Sequence, residues 1–125
     1  MSPRVLLVDD DPVILRVLEV NFRLDGFEVS TATHGNEALA RALELRPDAV
    51  VLDVMMPGLD GYEVATRIRE DAALSSTPLV FLTARTLDDD RAAGLEGVDR
   101  MPKPFDPIAL VQLVRSRVDG AGASG

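Results

Sequence analysis

The chain alternates between short apolar runs and segments whose apolar residues recur with helical spacing. Three of the runs predict buried strands: "RVLLV" (4–8), "AVVLD" (49–53) and "PLVFL" (78–82). Apolar and polar residues alternate in "FEVSTA" (27–32), as in a strand, and "VDRM" (98–101) predicts a weaker strand. The pattern therefore predicts five strands separated by longer segments.

Two helices are predicted in the first half of the chain. Asp11 is a favourable N-cap, Pro12 suits a first helical turn, and the dipeptide DG at 25–26 ends this helix. We expect its inward face to hold the apolar residues Ile14, Val17, Leu18 and Phe22. "GNEALARALEL" (35–45) predicts the second helix, which Pro47 brings to an end.

Further helices are predicted after the third strand. Asp60 and Glu63 form a D-x-x-E capping box, which predicts a helix to about residue 72. "DDDRAAGLEG" (88–97) predicts a short helix whose first aspartates form a solvated cap. "DPIALVQLVRSRV" (106–118) predicts the closing helix. We expect its inward-facing residues to be Val111, Val114 and Val118.

Continuously apolar strands between amphipathic helices indicate a parallel sheet covered by helices on both faces. Five such units in 125 residues fit a doubly wound, flavodoxin-like α/β fold with strand order 2-1-3-4-5. We expect one domain over residues 1–118, followed by a flexible tail or linker stub over residues 119–125. Ligands of such sheets bind outside the carboxyl ends of the strands.

Composition narrows the classes of function. The net charge of −8 argues against nucleic-acid binding by this segment, because no basic surface would offset phosphate repulsion. No apolar run approaches the ~20 residues of a membrane span and no secretory signal is visible, so we expect a cytoplasmic protein. The absence of cysteine excludes disulfides and thiolate metal ligands. Among the 13 basic residues, Lys103 is the only lysine.

Five polar residues lie at or just after the predicted strand ends. They are Asp9 and Asp10 after the first strand, Asp53 at the third, Thr83 at the fourth and Lys103 after the fifth. Three neighbouring carboxylates repel one another unless a cation joins them, and oxygen ligands without His or Cys favour Mg²⁺. Carboxylates, a metal ion, a hydroxyl and an ammonium together suit a phosphoryl group, and the Asp53 carboxylate can act as the nucleophile.

Each of these features, taken alone, has a common structural role. The run "DDDP" suits a helix start, Asp53 can cap the next element, and Thr83 can be an ordinary strand-end hydroxyl. Lys103 alone would be a solvated lysine, except that every other basic position uses arginine. The combination at four strand ends favours a functional site. His34, the only histidine, is interpreted as a loop residue.

The motifs "LLVDDDP", "VVLDVMMPGLDG", "LTA" and "KPF" occur in an order that resembles the receiver domain of two-component response regulators, the CheY-like family. The resemblance covers roughly residues 4 to 118 and implies the doubly wound fold and a Mg²⁺ requirement. It also implies a phosphoryl group taken from a sensor histidine kinase, a phosphotransfer protein or a small phosphodonor. A downstream effector domain or protein would read the signal. The domain would be a phosphoacceptor rather than an enzyme, with at most self-phosphorylation and autodephosphorylation.

The resemblance also assigns roles to individual residues. Asp53 would be the phosphoacceptor, while Thr83 and Lys103 would bind the phosphoryl group, with a cis Lys103–Pro104 bond. Asp9 would act mostly through water. The implied metal ligands are Asp9, Asp10, Asp53 and the backbone carbonyl of Met55.

The sequence departs from the family pattern near the fifth strand. Arg100 occupies the position, three before the lysine, where receivers usually carry an aromatic residue, and the segment 83–103 is about two residues shorter than usual. Met55 and Arg85 occupy positions that tune dephosphorylation in similar receivers. These departures leave open a phosphorylation-independent interaction module with an altered output face. A metal-dependent phosphatase is disfavoured, because "DVMMP" lacks the second aspartate of a D-x-D motif.

Overall fold

Five strands and four helices make up the described part of the chain. The computed structural model describes residues 2–56, 59–83 and 98–123, with side chains through residue 120. In chain order the elements are β1 (Arg4–Val8), α1 (Pro12–Leu24), β2 (Glu28–Ala32), α2 (Gly35–Leu45), β3 (Ala49–Asp53), α3 (Gly61–Glu70), β4 (Leu79–Thr83), β5 (Val98–Pro102) and α4 (Pro107–Ala123). The helix predicted at 88–97 lies outside the described residues.

The five strands form one parallel sheet in the order β2-β1-β3-β4-β5, which confirms the predicted fold class and strand order. β1 lies between β2 and β3, so that Leu6 pairs with Ser30 on one side and with Val50 on the other. Asp53 pairs with Leu82 of β4. Because all strands run in the same direction, their carboxyl ends meet at one edge of the sheet.

Alternate residues of the strands build two apolar layers. Leu6, Leu52 and Phe81 pack against α2 and α3 on one face. Leu7 and Val80 pack against α1 and α4 on the opposite face. Both faces of the sheet are therefore covered by helices, which explains why its central strands are apolar at nearly every position.

The helices follow the predicted caps, but one inward position of α1 was predicted wrongly. Asp11 accepts a hydrogen bond from the Val13 N–H, as an N-cap does. The buried stripe of α1 consists of Leu15, Leu18 and Phe22. Val17 is 40% exposed, because it lies about 100° around the helix from Leu18. Ile14 is only partly buried against the same core.

The later helices agree with their predicted starts. The Asp60 side chain accepts from the Glu63 N–H and so caps α3, as predicted. Val111 and Val114 of α4 are buried, and Val118 is partly buried. The structure continues α4 to Ala123, so helix extends into the segment predicted as a flexible tail. The domain boundary at residue 118 stays a prediction. Among the described residues, no helix combines the length and apolarity needed to cross a membrane.

Candidate functional site

The carboxyl edge of the sheet brings the predicted polar residues together. Asp9 and Asp10 directly follow β1, and Asp53 and Thr83 are the last residues of β3 and β4. Lys103 directly follows β5. β1, β3 and β4 are buried along nearly their whole length, whereas β5 is only partly buried. Each of these four strands delivers one or two polar groups where its ladder of hydrogen bonds ends. The site is thus a consequence of strand order and of where each apolar run stops.

Three carboxylates form the centre of this edge. Asp9, Asp10 and Asp53 each place an oxygen within 4.8 Å of the others'. Asp9 is fully buried and Asp53 is 6% exposed, whereas Asp10 faces solvent. Oxygen donors that converge in this way, open to solvent on one side, match the ligand preference of a hard divalent cation. The donor set can therefore hold a metal ion such as Mg²⁺.

Lys103 connects two of the carboxylates. Its Nζ lies 3.2 Å from Asp9 Oδ2 and 3.4 Å from Asp53 Oδ2. Burial by itself lowers the pKa of Lys103, but the Asp53 and Asp9 carboxylates outweigh burial and raise the pKa above its ordinary value. Lys103 is therefore an ammonium that balances part of the negative charge of the site.

Asp53 is held in surroundings that oppose its charge. Burial, followed by the neighbouring Asp9 carboxylate, raises the pKa of Asp53 to about 6. The Met55 N–H, which donates to Asp53 Oδ1 at 3.1 Å, and the Lys103 ammonium act in the opposite direction. One ammonium does not fully balance the site, so an added cation would favour the ionised form of Asp53.

Hydrogen bonds fix the loop after β1 and the backbone at Lys103. Asp9 Oδ1 accepts from the Asp11 N–H at 2.9 Å, and the Asp9 N–H donates to Ala32 O at 3.2 Å. The Lys103 N–H donates to Thr83 O at 2.6 Å, which continues the β4–β5 ladder past its last pair. The Lys103–Pro104 peptide bond is cis, in agreement with the prediction.

The remaining predicted site residues differ in placement. Thr83 is 9% exposed at the site, and the Met55 side chain is 76% exposed beside it. Arg100 lies in β5 opposite Phe81 with an exposed side chain. Arg85 lies outside the described residues. The roles assigned to these residues, including the Met55 carbonyl as a metal ligand, stay predictions.

Two features near the site were missed by sequence reasoning. His34 is the N-cap of α2, where its Nδ1 accepts from the Glu37 N–H at 3.3 Å. The sequence "THGNE" places a side-chain acceptor three residues before Glu37, but histidine is not among the favoured N-cap types. An apolar groove of about 440 Å³ adjoins Lys103 and is lined by Val13, Val17 and Phe105, among others. The apolar residues of α1 that lie beside its buried stripe are the feature of the sequence that could have predicted this groove.

Comparison with known proteins identifies the family. Residues 5–115 match the family model of the response regulator receiver domain. The chain belongs to this family. It is 50% identical over 125 residues to the transcriptional regulatory protein PrrA of Mycobacterium leprae. The aligned region covers 98% of this chain and 53% of PrrA. The receiver chain thus spans about half the length of such curated relatives.

Solved receiver structures agree with the fold. The receiver domain of sensor histidine kinase PA1611 from Pseudomonas aeruginosa is 32% identical, with a TM-score of 0.84 over 95% of this chain and 99% of that one. That protein holds a magnesium ion in its active-site cleft. A CheY-like receiver from Methanospirillum hungatei has a TM-score of 0.92 over the full length of both chains at 20% identity, which supports the fold alone.

Family membership indicates the general function of the acidic residues at the carboxyl edge. The chain is a two-component receiver domain with the acidic pocket typical of a phosphoacceptor site. Receiver domains are typically phosphoacceptors rather than enzymes, and the family implies a histidine kinase partner.

Proposed function

We propose that this receiver is a phosphorylation-driven signalling switch that accepts a phosphoryl group from a histidine kinase or phosphotransfer protein onto Asp53. The observation that carries the proposal is the Lys103 ammonium lying between Asp9 and Asp53 in a cluster of three carboxylates. A purely structural strand end has no need of such a cluster, since burying like charges costs free energy. A downstream effector, on the same polypeptide or separate, would read the modified state.

The metal site belongs to the same proposal. Mg²⁺ would be bound by carboxylate oxygens with the Met55 carbonyl as a further ligand, and when bound it supplies positive charge beside the incoming phosphoryl oxygens. The proposed ligands are Asp9, partly through water, Asp10, Asp53 and Met55. The fit rests on the oxygens of the three carboxylates, which lie within 4.8 Å of one another, and on the raised pKa of Asp53.

The transfer step uses the Asp53 carboxylate as the nucleophile. One oxygen of Asp53 attacks the phosphorus of a phosphohistidine, so that a P–O bond forms while the P–N bond breaks. The bonding electron pair returns to the imidazole nitrogen of the donor, and Asp53 becomes an acyl phosphate. The hydrogen bond from the Met55 N–H to Oδ1 orients the carboxylate for this attack.

Lys103 and Thr83 would bind the new phosphoryl group. Lys103 lies 3.4 Å from Asp53 Oδ2, within reach of oxygens attached to that carboxylate. Thr83 ends the strand next to Asp53 and can donate its hydroxyl hydrogen to a phosphoryl oxygen. Movement of Thr83 toward the phosphoryl group would shift the surface near β5 and α4 from one conformation toward another.

Acetyl phosphate with Mg²⁺, followed by intact mass measurement, tests the proposal. We expect the wild-type protein to gain the mass of one phosphoryl group and Asp53→Ala to gain none. Omission of Mg²⁺ should abolish the gain in the wild type. An unmodified wild type at saturating donor, or full labelling of Asp53→Ala, would overturn the proposal.

Arg100 supports a second candidate function, a phosphorylation-independent interaction module. An exposed arginine occupies the family's usual aromatic position in β5, so coupling of Thr83 to an aromatic ring is absent from that position. Beryllofluoride with Mg²⁺, which mimics the phosphoryl group, separates the two functions by amide NMR. Shifts that reach β5 and α4 support the switch. Shifts confined to the carboxyl edge support the interaction module.

A further inference from the structure

The turn between β2 and α2, taken together with the residues on either side of it, contacts both loops that carry the acidic residues. Ala32 O accepts from the Asp9 N–H at 3.2 Å, which ties the turn to the loop after β1. Gly35, the first residue of α2, is buried against Leu59 in the loop between β3 and α3. The turn itself supplies none of the predicted site residues. Its contacts nevertheless connect it to both loops that carry the proposed metal ligands.

The contact between Gly35 and Leu59 leaves no space for a side chain. A Cβ at position 35 would lie 1.8 Å from the backbone oxygen of Leu59 and 2.7 Å from its Cβ. Carbon contacts are normally about 3.5–4.0 Å, so either α2 or the loop would have to move by more than about 1 Å to accept alanine. The obstacle includes backbone atoms, which a change of rotamer cannot remove.

The helix side of this contact is firmly held. His34 Nδ1 accepts from the Glu37 N–H at 3.3 Å, while Glu37 Oε1 accepts from the Thr33 N–H at 2.9 Å. These two bonds cap the start of α2, with the Glu37 side chain reaching the residue before the N-cap. Ala38 and Ala42 are fully buried in the core below the helix. A displacement of α2 would break this cap and open the core.

The two ends of the loop are held as well. The Val54 N–H donates to Leu82 O at 3.2 Å, and the Gly61 N–H donates to Val54 O at 3.0 Å. A Cβ at position 61 would lie 2.7 Å from Asp53 O, so the start of α3 is packed directly against β3. Met55 and Leu59 both lie between these two held ends, so a displacement that starts at Leu59 would act on Met55 before it reached β3 or α3.

We propose that Gly35 is a positioning residue for the divalent cation: its bare Cα lets Leu59 lie close to α2 and thereby holds Met55 beside Asp53. The inference rests on the proposed metal site. It extends that site to a residue that touches neither the metal ligands nor the phosphoryl group. A side chain at position 35 would push the loop outward, lengthen the hydrogen bond from Met55 to Asp53 and withdraw the Met55 carbonyl.

Gly35→Ala tests the proposal, with Gly120→Ala as the matched control because a Cβ at position 120 meets nothing within 4 Å. We expect Gly35→Ala to bind Mg²⁺ about 10-fold or more weakly by calorimetry, the usual cost of disturbing the groups that support metal ligands. In the metal-free protein, hydrogen exchange of the Met55 amide should be faster in Gly35→Ala and unchanged in Gly120→Ala.

The amide readout distinguishes positioning from general destabilisation. A folded Gly35→Ala with the Mg²⁺ affinity and Met55 exchange of the control would overturn the proposal, because α2 rather than the loop would then have yielded. If the wild type binds no Mg²⁺, the proposed function fails, and Met55 exchange alone decides the positioning claim.

Leu59→Ala gives the same information if Gly35→Ala does not fold. Leu59 is partly buried against the core of α2 and α3, so truncation releases the loop without adding a clash. We expect weaker Mg²⁺ binding and faster Met55 exchange than in the wild type. Wild-type values for both in Leu59→Ala would contradict the proposal.

Discussion

At the scale of single residues, Asp53 sets the pH dependence of the metal-free protein. Its pKa is raised from 3.8 to about 6 by burial and by Asp9. The folded state thus binds the Asp53 proton more tightly than the unfolded state does. The stability associated with this group is fully present below pH 3.8 and is lost as pH rises through about 6.

Asp53→Asn should therefore stabilise the metal-free protein at neutral pH. We expect the free energy of unfolding to rise by about 1–3 kcal/mol at pH 7, because the variant lacks the buried carboxylate whose ionised form is unfavourable in the folded state. Lys103 keeps Asp9 as its partner in this variant. The gain should shrink toward pH 4. Urea denaturation with EDTA at several pH values measures both effects, and a gain independent of pH would contradict the assignment to Asp53.

Lys103 should have the opposite effect on the metal-free protein. Lys103→Met leaves the buried Asp9 and Asp53 carboxylates facing each other without a counter-charge. We expect a loss of about 1–3 kcal/mol at pH 7, because removing one partner of a buried pair exposes the desolvation cost of the other. Adding Asp53→Asn should restore much of this loss. A double-mutant cycle by urea denaturation in EDTA checks the coupling, and purely additive effects would contradict it.

At the scale of elements, caps and apolar runs predicted most boundaries. Asp11 and Asp60 cap α1 and α3 as expected from short side chains that accept backbone N–H groups. The end of α4 was predicted less well, since the glycine-rich sequence after Val118 disfavours helix and yet the structure continues it to Ala123. Local propensity alone did not determine where that helix ends.

The end of α2 provides a test of backbone strain. Arg46 has φ of 49°, a left-handed conformation that non-glycine residues adopt at a cost. Its side chain is exposed, so Arg46→Gly relieves strain without opening the core. We expect the free energy of unfolding to rise by about 0.5–1 kcal/mol relative to Arg46→Ala, the control that keeps a Cβ. Chemical denaturation measures the difference, and equal stability of the two variants would refute the argument.

At the scale of the whole molecule, strand order made the carboxyl edge predictable. Placing β1, β3 and β4 side by side brings Asp9, Asp53 and Thr83 together whatever the loops do. The support from Gly35 was not predictable in the same way. It depends on two backbone segments, distant in sequence, that touch at Leu59, and such a contact leaves no periodic pattern in the sequence.

Mg²⁺ should stabilise the whole domain through the same edge. A ligand bound only by the folded state adds RT ln(1 + [L]/Kd), about 2.7 kcal/mol at 100 times Kd. We expect the melting temperature of the wild type to rise with Mg²⁺ concentration at pH 7.5. Asp10→Ala should lose this rise while its metal-free stability stays near that of the wild type, because Asp10 is exposed.

The Mg²⁺ effect should also weaken in acid, because a proton competes with the cation for Asp53 below a pKa of about 6. The same titration at pH 5 should require more Mg²⁺ for an equal rise in melting temperature. Asp10→Ala serves as the control at both pH values for non-specific effects of salt. An equal response to Mg²⁺ at pH 5 and pH 7.5 would mean that the cation binds without Asp53, and Asp53 would then not be one of its ligands.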